Sequence, residues 1–150
     1  MAVASSYQAI DSGAQRHVIL GRIWWVGLVV MVASIAANAI VAALAGPLLG
    51  ASPVFPPLQP GGYVFFTVVG VLGAVITFAL VARFARRPIR TYLTVATIAL
   101  ALSFVPDLML FMADSSQLPG GSVPAVLALM VMHIVTFAIS VGLLTSLTRR

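Results

Sequence analysis

Between Arg22 and Arg83 the chain carries no charged side chain. One spanning helix needs only about 20 apolar residues, so the run is too long for a single crossing and too apolar for the surface of a soluble domain. The rest of the chain extends the point. Of 150 residues, 61% are apolar and 7% charged, with a mean hydropathy of +1.14, whereas soluble domains are about 25% charged. The chain therefore reads as an integral membrane protein. It has no lysine, glutamate or cysteine, which excludes disulfides, cysteine-ligated metal centres, a catalytic lysine and paired-glutamate catalysis.

The long run must be interrupted. Pro47, Pro53, Pro56, Pro57 and Pro60 alternate with Gly50, Gly61 and Gly62 between Gly46 and Gly62, a density of missing donors that predicts a break there. The predicted spans are 23–45, 63–82, 91–113 and 123–148, after a polar tail at 1–22 and before a basic end at 149–150. Connections of about 17, 8 and 9 residues leave room for one compact unit. The expected fold is all-α, a four-helix antiparallel bundle in the membrane. Ala37-Asn38-Ala39 imitates a signal-cleavage site, but the apolar stretch exceeds the roughly 7 to 15 residues of a secretory signal, so a retained first helix is expected.

All eight basic residues fall on one side of this arrangement. Arg16 and Arg22 precede the first span, Arg83, Arg86, Arg87 and Arg90 fill the second connection, and Arg149 and Arg150 end the chain. The positive-inside rule then puts both termini in the cytoplasm of a multi-pass protein of the plasma (inner) membrane. The net charge of +5 is explained by contact with the anionic lipid of the bilayer at three juxtamembrane places, and a nucleic-acid partner is not expected. Docking of a soluble partner on Arg83–Arg90 is a lesser alternative.

Polar residues inside spans mark the faces turned toward protein. Gly27, Ser34 and Asn38 share one face of the first span, Thr67, Gly70, Ala74 and Thr77 one face of the second, Ala96, Ala99, Ser103 and Asp107 one face of the third, and His133, Thr136 and Ser140 one face of the fourth. Close helix packing accounts for the small residues and hydroxyls. Counting about 1.5 Å per residue, Asn38, Thr67, Asp107 and His133 all lie about 22 to 24 Å from the cytoplasmic ends of their spans, in one polar layer. Pro106 withholds the usual donor from the Leu102 carbonyl beside Asp107. An aspartate at this depth must be paired or protonated, and His133 is the natural partner. The pair is either a clasp that fixes helix order or a site for a proton or a ligand. The candidate site is thus Asp107, His133, Asn38, Thr67 and Ser103.

Met109, Met112, Met130 and Met132 flank the pair in sequence. Methionine with histidine can bind copper(I) or haem iron, so His133 with Met130 and Met109 forms a weak metal alternative. Methionine is also common apolar filler, and no metal or other cofactor is expected. His17 reads as a solvated residue. Asp11, Asp107 and Asp114 are too scattered for a carboxylate cage, and no Ser-His-Asp set, phosphate loop or His-Glu-x-x-His pattern occurs.

The asparagine of the first span, Ser103-Phe104-Val105-Pro106-Asp107 in the third and Met132-His133 in the fourth together resemble a family of small four-helix bacterial membrane proteins catalogued as a domain of unknown function. The resemblance covers nearly the whole chain after Arg22. It implies a bacterial inner-membrane protein and brings no activity, substrate or catalytic residue.

Three functions follow as expectations. The first is a non-enzymatic accessory or assembly subunit that binds a lipophilic ligand through the polar layer, within a larger membrane complex. The second is a small proton-coupled transporter acting as a homodimer, packed through Gly70 and Ala74 or Ala33 and Ala37. The third is a protein carrying haem or a pigment on His133.

Overall fold

The computed structural model describes residues 20–112 and 118–148. Four long helices account for most of them: α1 (Leu20–Leu49), α2 (Pro60–Phe84), α3 (Pro88–Met112) and α4 (Val123–Leu147), with a short 3-10 turn at Pro56–Leu58 before α2. Each of the four is long and apolar enough to cross a membrane. At about 1.5 Å per residue, α2, α3 and α4 measure about 37 Å, slightly more than the hydrocarbon thickness of a bilayer.

α1 and α2 overrun the predicted spans at both ends and α3 at its start, whereas α4 begins where predicted and ends one residue early. α2 begins at Pro60 and α3 at Pro88, because proline at a first helical position gives up no intrahelical bond and its fixed φ suits the helix. α1 continues through Gly46 and Pro47 to Leu49. It stops at Gly50, whose φ of +73° is the left-handed conformation that glycine adopts without steric cost. There the Gly50 N–H bonds the Gly46 carbonyl at 2.9 Å and the Ala51 N–H bonds the Ala45 carbonyl at 3.1 Å, satisfying two carbonyls of the last turn. Pro106 lies inside α3 without ending it. At the start of α4, the Ser122 hydroxyl accepts from the Ala125 N–H, one of the donors that has no partner within the helix. The predicted end of the third span at Ala113 lies outside the described residues, as do Asp11, Arg16, His17, Asp114, Arg149 and Arg150.

α1 makes its main contacts with α4 and α2, and α3 rests on α4 and α2. Residues early in one helix meet residues late in the next. A methyl group added at Gly27 would stand 3.0 Å from the side chain of Val75, Asn38 reaches Thr67 and Thr136, and Phe78 packs edge-to-face on Tyr92 with ring centres 4.8 Å apart.

Two apolar clusters result. At the end that carries Arg22 and Arg83–Arg90, called here the arginine end, Ile23, Val26, Val30, Val71, Val75, Phe78, Tyr92 and Leu144 pack together. At the far end, Ala45, Ala51, Phe55, Leu58, Ala125, Ala128 and Met132 do so. The far cluster draws on the chain between α1 and α2, which also closes on the other connection at that end. Gly120, at φ +70°, lies so near Ser52, Val54 and Phe55 that a Cβ would approach the Ser52 hydroxyl to 2.8 Å. Between the clusters lie the buried polar residues Ser34, Asn38, Thr67, Asp107 and Ser140.

Candidate functional site

Several hydroxyls in the helices and at the end of α4 are used locally. Thr94, Thr97, Thr145 and Thr148 donate to the carbonyl four residues earlier, and Ser103 donates to the Leu100 carbonyl at 2.7 Å. Such back-bonds satisfy a hydroxyl in an apolar medium and leave nothing to join one helix to another. Ser103, a predicted site residue one turn before Asp107, is therefore occupied with its own helix.

Asn38 behaves differently. Its amide nitrogen donates to Thr67 Oγ1 at 2.8 Å and to Thr136 Oγ1 at 2.9 Å, so one side chain of α1 ties α2 and α4 to it. An amide has two N–H bonds, and both are used. Its carbonyl oxygen, Oδ1, is buried without a partner, as are the hydroxyls of Ser34 and Ser140.

Asp107 and His133 form a second cluster, on α3 and α4. His133 Nδ1 lies 3.2 Å from Asp107 Oδ2 and 3.0 Å from the Leu129 carbonyl of its own helix. Two oxygen acceptors around Nδ1 require the hydrogen on that nitrogen. The carbonyl receives the better-directed bond, and Asp107 Oδ2 is left buried with the imidazole beside it but no well-aimed donor. The ring stands edge-on to Phe104, with centres 6.2 Å apart. The two partners differ in exposure: the Asp107 side chain is 4% accessible and that of His133 33%. With Nδ1 engaged, Nε2 is the ring atom available to another molecule.

The single predicted layer is thus two clusters. Asn38 and Thr67 belong to one, Asp107 and His133 to the other, and among the described residues no hydrogen bond joins them. Thr136, the second acceptor for Asn38, was visible in the sequence on the same face as His133, but counting heights from the span ends favoured His133. Of the methionines in the weak metal alternative, Met109 is 65% exposed. It lies two residues from buried Asp107, about 200° round the helix, on the face turned away from His133.

α3 is the least enclosed helix. Its only buried side chains are Tyr92 and Asp107, an aromatic anchor at the arginine end and a carboxylate toward the far end, while Ala96 and Leu110 are half-buried against the two apolar clusters.

Comparison with known families gives one result: the model of a family described as a family of unknown function (DUF6069) matches residues 18–150. Neither the curated proteins nor the solved structures give a match.

Proposed function

This chain belongs to the DUF6069 family, a family of unknown function, and on that premise we propose that it is a non-enzymatic accessory subunit of a bacterial inner membrane that receives a lipophilic ligand at His133. The proposed arrangement is an antiparallel bundle with both termini in the cytoplasm. The one-sided distribution of the arginines supports that orientation, and the pairing of early with late residues along neighbouring helices supports the antiparallel order.

One observation carries the functional reading: His133 is fixed at one nitrogen by Asp107 and the Leu129 carbonyl while a third of its side chain stays open. A purely structural clasp gains nothing from an open edge. In the neutral ring, Nε2 presents a lone pair to a medium that holds few donors, so a hydroxyl or amide N–H on a membrane-dissolved molecule, or on a neighbouring helix, is the group it would recognise. The carboxylate orients the ring and is itself shielded from lipid.

The test is to purify the wild-type protein and the His133→Gln variant from their native membrane in mild detergent and to compare bound small molecules and partner chains by mass spectrometry. A species that accompanies the wild type and is lost from H133Q is expected. A wild-type protein that is monomeric and free of any bound molecule or partner would remove the basis of this reading.

A second reading has its own observation. Asp107 Oδ2 is buried with no well-directed donor, and an acidic side chain within a span is a common element of proton pathways. In this reading the protein is a proton-coupled carrier, working as a dimer packed through Gly70 and Ala74. Proton flux in reconstituted vesicles that persists unchanged in Asp107→Asn excludes it.

A further inference from the structure

The beginning of α3 carries a second feature, distant from the Asp107–His133 pair. Arg87, Arg90, Thr91, Thr94 and Val95 line a depression of about 320 Å³. Arg87 stands just before α3, its carbonyl accepting from the Thr91 N–H at 3.0 Å, and the spacing of Arg90, Thr91, Thr94 and Val95 puts these four on one face of the helix. That face is turned away from Tyr92 and Asp107, the two residues that α3 buries, and it continues through Ile98 and Leu102, which are 55% and 64% exposed. From Arg90 to Val95, a rise of about 8 Å, the face passes from guanidinium to hydroxyl to aliphatic side chain. A glycerophospholipid changes in the same order, from phosphate through ester oxygens to acyl chain.

The charge on this face is open to an anion from outside the chain. Eight arginines stand against three aspartates, so at least five arginines have no side-chain carboxylate, and Asp107 is engaged by His133. Arg87 and Arg90 both line the depression, and a guanidinium group is suited to the oxygens of a phosphate. The hydroxyls divide their roles. Thr94 donates to the Arg90 carbonyl at 3.1 Å, whereas among the described hydrogen bonds Thr91 makes none through its side chain and is left to donate outward.

We propose that this face of α3 binds one anionic glycerophospholipid in the leaflet on the arginine side. Its phosphate lies between Arg87 and Arg90, an ester oxygen meets Thr91, and an acyl chain follows Val95, Ile98 and Leu102. The proposal does not depend on the ligand assigned to His133.

The test uses the full chain in detergent micelles, with native mass spectrometry to count bound phosphatidylglycerol against phosphatidylcholine. Arg87→Gln with Arg90→Gln should weaken phosphatidylglycerol binding about thirty-fold, as two arginines near a membrane surface would. Arg83→Gln with Arg86→Gln removes the same charge from the same hairpin but not from this face, and should weaken it no more than about threefold. Thr91→Val should lower affinity by about threefold or more, and Thr97→Val, at a back-bonded hydroxyl outside the depression, should leave it unchanged. Equal losses from the two arginine pairs would show diffuse attraction and overturn the proposal, as would equal binding of phosphatidylcholine. Displacement of the bound lipid by millimolar inorganic phosphate would assign the site to a soluble anion and overturn the lipid identification.

Discussion

The two polar clusters between the apolar ends of the bundle are solutions to different problems. Asn38, Thr67 and Thr136 are neutral, join three helices, and use both N–H bonds of the amide in contacts of 2.8 and 2.9 Å. Asp107 and His133 contain an ionisable carboxyl group, join two helices, and leave a third of one side chain open. The first cluster needs nothing from outside to hold three helices together. The second holds the loosely packed α3 and leaves a third of the His133 side chain accessible. Both clusters keep one oxygen without a partner, Asn38 Oδ1 and Asp107 Oδ2, so an unsatisfied polar group inside a membrane is not by itself a sign of function; the sign is a polar group that the fold leaves open to another molecule.

The strongest way to break this contrast is to remove His133. His133→Ala leaves the Asp107 carboxyl buried and alone, and should cost about 3 to 5 kcal/mol, read as a lower denaturation midpoint in detergent. The double variant Asp107→Leu with His133→Leu should recover most of that loss, since apolar side chains of similar volume commonly replace a buried pair without penalty. If the double variant is as unstable as the single, the two residues are not acting as a pair.

Asn38→Leu comes next. It removes two interhelical hydrogen bonds at about 0.6 kcal/mol each, and also strands two hydroxyls that can turn back to their own helices, so a loss of about 1 to 2 kcal/mol is expected. Thr67→Val and Thr136→Val should each cost about half as much, and either combined with Asn38→Leu should add little, which a double-mutant cycle measures. The smallest effect belongs to Ser103→Ala, at about 0.5 kcal/mol or less, because its hydroxyl serves only its own helix. A large effect there would join Ser103 to the Asp107 cluster and blur the distinction.

The sequence made some of this legible and not the rest, for physical reasons. The charge-free run and the one-sided arginines mark four spans because a bilayer admits no alternative arrangement of so many apolar residues. Asp107 and His133 stood out because an acid cannot lie in lipid alone. The true ends of α2 and α3 were hidden because proline breaks a helix interior but starts a helix well, and Pro60 and Pro88 look alike in both roles. The separation of Asn38 from Asp107 was hidden because heights counted along four helices take no account of their tilts or of their actual starting residues. Nor does a serine's identity tell whether its hydroxyl will turn back, as at Ser103, or stay unpaired in the interior, as at Ser34 and Ser140.

The sparse anchorage of α3 bears on how the protein is made. Of its two buried side chains, Tyr92 meets Phe78 of α2, which has already been synthesised when α3 emerges. Asp107 meets His133, which has not. During synthesis the third helix can therefore dock at its beginning while its carboxyl group still lacks a partner, and its far half settles only when the fourth helix arrives. Chain order makes α4 the keystone of the bundle, and a released chain that ended between Met112 and Val123 would leave the Asp107 carboxyl group without His133.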